Sequence, residues 1–521
     1  MDAETIHNRR WWTLLVLCLS LTMVIVGNTT LNVALPTLIR DLHASTTELQ
    51  WMVDAYGLVF AGLLLTSGAL GDRFGRKGAL QAGLVIFGLG SLAAGLSHSP
   101  AQIILCRAVM GVGASLVMPA TLSILTNVFP PHERSRAIGA WAGVAAAGAA
   151  FGPIVSGWLL AHFWWGSVFF VNMPIVLLAI VGGLLLVPTS RDPRQPPLDL
   201  VGAGMSIVGL SALLYGIIEA PNRGWLSTDS LLAFGVAALF IGLFAWWELR
   251  SREPMLDLRY FKNGSFSGGA LAITFAFFAM FGLFFLLTQY FQLVLGYTPL
   301  EAGVRLLPMA ATIMVTAPSS ARLAERFGSR NVVVTGLSII ALGLVLISRF
   351  GVHTTYAQLI LSLMITAVGM GLTSAPSTTS IMSSLPLGKA GVGSAVNDTT
   401  RELGGALGVA VLGSLVASHY QSTLKPVLAP LPSIGKSLAF SSLGGALEQA
   451  QRLGGQAGEA MALGARTAFV HAMSQAALIG AVVAAVASIA VYRLLPDRLD
   501  APAHDLAHAH GDDLPVPEPA L

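Results

Sequence analysis

The sequence predicts an all-α integral membrane protein built from two related sets of spanning helices. Three observations carry this. Hydrophobic residues make up 54% of the 521-residue chain and charged residues 11%, whereas ordinary soluble domains carry roughly 25% charged residues. So few charges cannot coat a soluble body of this size. Mean hydropathy is +0.73, and the apolar residues come in runs of about 20, the length that crosses a bilayer as a helix. A charged motif near residue 70 recurs near residue 323. The net charge of +3 is close to balance and suggests no nucleic-acid partner, and the 56 glycines suit helices whose backbones approach closely in lipid.

Fourteen candidate spans follow in order. The first, near 11–35, begins after Arg9-Arg10 and is too long for a signal-peptide core, so it reads as a retained helix. Spans near 50–70 and 79–96 flank the first copy of the charged motif. Ser97-His98-Ser99-Pro100 separates the third from the fourth, near 102–125, and Phe129-Pro130-Pro131 separates the fourth from the fifth, near 136–161. The sixth lies near 166–187. Charged stretches at 191–199 and 250–262 bracket the seventh and eighth, near 199–219 and 230–248. The last six lie near 267–291, 302–320, 331–349, 356–381, 391–417 and 468–494. The expected organisation is a six-helix bundle over 1–190, a linker with two inserted helices over 191–262, and a six-helix bundle over 263–496. A long outer loop at about 418–466 is expected to hold one or two amphipathic helices between Leu438 and Met461, and 497–521 reads as a flexible cytoplasmic tail.

Sidedness follows from Lys and Arg, which favour the cytoplasmic side. Of the 29, 19 fall on the side of the N-terminus and 7 on the other, while Arg107, Arg305 and Arg401 lie inside spans. Both termini are therefore expected in the cytoplasm, in the plasma (inner) membrane. Cys18 and Cys106 sit in apolar runs entered from opposite faces and read as packing residues. His504, His508 and His510 in the tail read as solvated side chains rather than metal ligands.

The repeat is the strongest signal. Leu70-Gly71-Asp72-Arg73-Phe74-Gly75-Arg76-Lys77, read as an inner loop, is matched at a constant offset of 253 by Leu323-Ala324-Glu325-Arg326-Phe327-Gly328-Ser329-Arg330. Leucine, the acid, Arg-Phe-Gly and a terminal base are kept, so the two halves share one plan. Parallel repeats about an axis along the membrane normal place a substrate site near the midplane between halves. Asp72 can cap a neighbouring helix N-terminus and pair with Arg73 or Arg76, locking the inner face closed.

Three motifs resemble those of the fourteen-helix drug:proton antiporters of the major facilitator superfamily. They are Gly68 with Asp72, Arg73, Gly75 and Arg76; Arg107 followed by Gly111 and Gly113; and Gly139, Gly148, Gly152-Pro153 and Gly157 in the fifth span. The resemblance covers Trp11 to Pro496 and implies a major facilitator fold with two inserted helices. It also implies proton-coupled efflux of lipophilic compounds by a monomer, with small-molecule substrates, protons and membrane lipids as partners. The second-half motif contributes Glu325 and Arg326. The fifth-span glycines leave a groove where a helix of the other half can press close, and Pro153 removes one backbone bond.

Charges inside spans are costly and mark function by default. Asp54 and Arg107 lie at similar depth and can form a carboxylate–guanidinium contact. Asp398, Arg401 and Glu402 share one face of the thirteenth span, where two carboxylates beside one another suit proton binding. Arg305 with Glu301 reads as a surface ion pair. One departure stands out. The resembling branch carries an acid in its first span where this chain has Gly27, which predicts poor handling of dications.

No nucleophile–base pairing, metal-ligand spacing or P-loop is present, so neither an enzyme nor an ATP-driven pump is expected, and no cofactor other than the proton gradient. A dedicated exporter of one endogenous metabolite or lipid, on the same fold, is the alternative to a multidrug exporter.

Overall fold

The computed structural model describes residues 3–42, 46–191, 199–251, 254, 256–386, 389–428 and 443–497. Its helices are α1 (Ala3–Leu42), α2 (Thr46–Phe74), α3 (Arg76–Gly95), α4 (Pro100–Val128), α5 (Pro131–His162), α6 (Ser167–Phe170), α7 (Asn172–Leu186), α8 (Leu200–Arg223) and α9 (Thr228–Glu248). After them come α10 (Gly264–Gln289), α11 (Pro299–Phe327), α12 (Ser329–Ile347), α13 (Tyr356–Ser383), α14 (Ala390–Leu428), α15 (Leu443–Leu453) and α16 (Gly455–Leu494). Thirteen stretches among the described residues are long and apolar enough to cross a membrane. The 32-residue α5 spans about 48 Å at 1.5 Å per residue, length enough for a further crossing.

Helices α1 to α7 pack on one another, as do α10 to α16, and α5 with α11 and α2 with α14 join the two sets. The inserted pair α8–α9 packs against itself, and α8 lies on both α2 and α14. Hydrophobic side chains from both sets form one continuous core.

Several boundaries differ from the sequence reading, each for a local reason. The sixth span stays one membrane-length stretch, Ser167–Leu186, but its hydrogen bonding is interrupted at Val171, where Pro174 has no N–H to bond the Phe170 carbonyl while the backbone keeps helical dihedrals. The segment expected as an outer loop at 418–466 is helical over 418–428, in α15 and from residue 455 onward. α15 falls where an amphipathic helix is expected, and it buries Leu443, Gly445, Ala446 and Ala450. Residues 429–442 and the tail histidines His504, His508 and His510 lie outside the described residues.

The repeated motif is not a loop. Leu70 to Phe74 are the last turn of α2, Arg76 already belongs to α3, and Gly75 alone links them at φ 115°. The second copy repeats this: Phe327 ends α11, Ser329 begins α12, and Gly328 turns between them at φ 84°. Side-chain-bearing residues avoid that region, so glycine at both positions is a backbone requirement. Gly75→Ala and Gly328→Ala should each destabilise by about 1–3 kcal/mol, read as a lower melting temperature in detergent. Gly78→Ala, whose methyl meets nothing within 4 Å, should instead gain up to about 1 kcal/mol. Equal melting of all three variants would remove the conformational argument.

Candidate functional site

The first cluster joins the two sets of helices at the C-terminal end of α2. Asp72 is 5% exposed and Arg76 is 1% exposed. One carboxylate oxygen, Oδ1, accepts from Arg76 Nε at 2.8 Å and from the Gly391 N–H at 3.0 Å. Oδ2 accepts from the Gly391 and Val392 N–H groups at 2.8 and 3.2 Å. Gly391 and Val392 lie in the first turn of α14, so the carboxylate satisfies helix-start N–H groups at the positive end of the helix dipole. Glycine makes the approach sterically feasible from both sides: a methyl on Gly68 would sit 2.5 Å from the Gly391 carbonyl oxygen, and the reverse holds. Of the two arginines offered by the sequence, Arg76 takes the ion pair, and Arg73 lies over the Phe74 ring at 5.3 Å.

The second copy is built differently. Glu325 is exposed and Arg326 lies over Phe327 at 5.3 Å. Both line a cavity of about 330 Å³ shared with Ser135 of α5 and Thr379 of α13.

The α5 glycines divide between two neighbours. Gly139 faces α11, where a methyl would meet the Pro318 Cα at 2.6 Å and the Ala317 carbonyl at 2.7 Å, and Gly157 faces Leu300 at 3.8 Å. Gly148 and Gly152 instead face Ile25, Thr22 and Thr29 of α1, within the same set. Gly143, absent from the motif as read, makes the second close approach to α11, at Met314. The expected groove for the other half therefore involves Gly139, Gly143 and Gly157. The Pro153 side chain lies outside the described residues.

Within the first set, Arg107 is 0% exposed. Its Nε donates to the Met52 carbonyl and a terminal nitrogen to the Gly27 carbonyl, both at 2.9 Å. The guanidinium lies 4.3 Å from the Tyr56 ring centroid. Asp54 belongs to α2 next to this site, but its side chain lies outside the described residues. Gly27 is not merely an acid omitted: a methyl there would lie 2.6 Å from the Phe87 ring, which is fully buried.

Within the second set, Asp398 and Glu402 lie about 12 and 18 Å along α14 from its start. Asp398 is 1% exposed, Arg401 6%, and Glu402 is half-buried. Asn397 donates to Asp398 Oδ1 at 3.2 Å and accepts from the Thr378 hydroxyl at 2.9 Å. Arg401 donates to that same hydroxyl at 3.2 Å. Its guanidinium lies 4.9 Å from the Trp141 ring and 5.1 Å from the Phe277 ring. The sequence reading missed Trp141, Phe277, Asn397 and Thr378. A single tryptophan in the Gly- and Ala-rich middle of α5 was the available signal.

Two further aromatic side chains near the helix ends have settled partners. Trp51 stacks on Tyr215, and the Tyr290 hydroxyl donates to the Gly351 carbonyl at 2.7 Å. Glu301 completes a capping box with Thr298 and lies 3.8 Å from Arg305.

Comparison with known proteins supplies the family. The model described as Major Facilitator Superfamily matches residues 17–409. The multidrug efflux pump LfrA of Mycolicibacterium smegmatis is 37% identical over 484 residues, covering 93% of this chain and 96% of that protein. The methyl viologen resistance protein SmvA of Salmonella typhimurium is 35% identical over 474 residues, 90% of this chain and 94% of its own length. Among solved structures, the proton:xylose symporter XylE matches in fold with a TM-score of 0.62 at 13% identity, covering 96% of this chain and 99% of that one.

Proposed function

This chain belongs to the major facilitator superfamily, a family of membrane transporters, and we propose that it expels lipophilic cationic or neutral amphipathic compounds in exchange for protons. The observation that carries this reading is the pair of carboxylates, Asp398 and Glu402, set two to three turns into α14 in a buried cluster. Relatives named as efflux and resistance proteins support the export direction. The halves, 1–190 and 263–496, rock about the midplane with 191–262 as an inserted pair, and both termini face the cytoplasm of the plasma membrane. Asp72 of α2, seated on the first turn of α14, serves as the inner lock, and its bonds to the Gly391 and Val392 N–H groups support a state closed at that end. The protein acts as a monomer in lipid and needs no cofactor. Expelling a monovalent cation against 100 mV, negative inside, costs about 2.3 kcal/mol, which returning protons offset.

The deciding experiment is transport into inverted vesicles under an imposed pH gradient, with quaternary ammonium dyes and neutral drugs as substrates. Uptake that follows the gradient and collapses with it is expected. Gradient-independent flux would overturn proton coupling, and failure with every drug would favour the single-metabolite exporter.

Substrate charge gives a sharper test. Gly27 supplies no acid, and Arg107 lies against its carbonyl. A dication carries about 4.6 kcal/mol of electrical cost per 100 mV, twice that of a monocation. Monovalent dyes should therefore be expelled and the dication methyl viologen should not, unlike what the name of SmvA says of that relative. Efficient methyl viologen export by the unmodified protein would contradict this. Gly27→Asp alone should pack poorly against Phe87, whereas Gly27→Asp with Phe87→Leu should extend the range towards dications.

A further inference from the structure

The Arg401 guanidinium is held between aromatic rings from two helices. We propose that Trp141 is a positioning residue for the proton cycle: it keeps Arg401 off Asp398 and Glu402 while the Asp72 end is closed, and releases it to them when α5 withdraws. The inference rests on the coupling role of those two carboxylates proposed above.

Arg401 follows Asp398 by three residues, a spacing that lets side chains meet on a helix surface. Yet among the described residues no contact ion pair joins Arg401 to Asp398 or Glu402, which stay within its electrostatic range without touching it. The guanidinium instead faces the Trp141 and Phe277 rings and donates to Thr378, and its Nε has no hydrogen-bond partner. Asp398 Oδ2 is likewise buried without one. Tryptophan gives the strongest cation–π face, most of all where water is excluded. Trp141 is fully buried and its ring N–H also lacks a partner, so its place is explained by its face rather than by its donor.

The two rings belong to different halves. Phe277 lies on α10, in the set that carries Arg401, whereas Trp141 lies on α5. Trp141 is two residues beyond Gly139, the point of backbone contact with Pro318 of α11. Parting the halves at the Asp72 end opens that seam and takes one ring away. Arg401 then has the neighbouring carboxylates as its strongest remaining partners, and a cation beside a carboxylate favours the ionised form. Protons are thus released as the inner end opens, the order an exchanger needs.

Other charged or titratable groups around α14 are few. α2 carries Tyr56, within electrostatic range of Glu402, Asp72 at the start of α14, and Asp54, whose side chain is outside the described residues. α4 contributes Arg107; α10 and the middle of α5 and α13 contribute none among the described residues. α8 carries Tyr215, Glu219 and Arg223, and α16 carries Glu459, Arg466 and His471 towards one end and Tyr492 and Arg493 at the other.

The test is binding of a monovalent quaternary ammonium dye to the full-length purified protein across a pH series, with proton release on binding recorded in parallel. The unmodified protein should show a midpoint that disappears in Asp398→Asn with Glu402→Gln. Trp141→Leu should move the midpoint about one unit to lower pH, a tenfold loss of proton affinity, because Arg401 is then free to pair in every state. Trp141→Phe, which keeps an aromatic face, should remain near the unmodified value. Should Trp141→Leu fail to fold, Phe277→Leu removes the other ring and should shift the midpoint the same way by less. A midpoint that depends on the carboxylates but ignores both ring replacements, or an equal shift in Trp141→Phe, overturns the role of Trp141 alone. Absence of a midpoint in the unmodified protein, or its survival without the carboxylates, overturns the coupling reading and this inference together.

Discussion

Asp398→Asn is expected to reduce pH-gradient-driven transport to the level of empty vesicles while leaving substrate counterflow measurable. The substitution keeps the shape of a side chain that is 1% exposed and retains hydrogen-bonding capacity towards Asn397, so helix packing survives. What disappears is the group that takes up and gives back a proton. Counterflow requires only that the loaded protein change its facing, so it separates loss of coupling from loss of fold. Glu402→Gln should show the same split, since Glu402 is half-buried and deeper along α14. Gradient-driven flux at the unmodified rate in Asp398→Asn would remove this residue from the proton path.

Asp72→Asn should stall the cycle with the inner end open. The change removes the carboxylate from an ion pair with Arg76 at 2.7 Å and weakens bonds to the Gly391 and Val392 N–H groups. The ion pair lies within one half and is kept in either facing, so the bias comes from the charge-assisted bonds across the seam, worth about 1.5–3 kcal/mol. That biases the open-to-closed ratio by about ten- to a hundredfold, since each 1.4 kcal/mol is a factor of ten. Drug affinity measured from the cytoplasmic side should hold or rise, and turnover should fall to a few per cent. A cysteine introduced at Ala395, beside Gly68 in the seam, should become reactive to a water-soluble thiol reagent in this variant only. Normal turnover with lost binding would assign Asp72 to the substrate site instead of the lock.

The membrane class, the succession of spans, the repeat at residues 72 and 325 and the charged face of α14 were all legible in the sequence. Each is a local property. Hydropathy over about 20 residues decides whether a segment can leave water, and spacing along a helix decides which side chains share a face. The one-residue turns at Gly75 and Gly328 were nearly legible too, since both glycines hold the same place in the repeat. Partners across helices were not legible, because periodicity says nothing about what stands opposite. Only the tertiary structure selected Arg76 over Arg73 for Asp72 and set Gly139 and Gly143 against α11 while Gly148 and Gly152 turned to α1. It also filled the space beside Gly27 with Phe87, and gave Arg401 two aromatic rings where its neighbours in sequence offered two carboxylates. Those choices depend on how helices far apart in the chain cross and how closely their backbones approach, and the physical reason is packing: a partner is fixed only once both surfaces are in place.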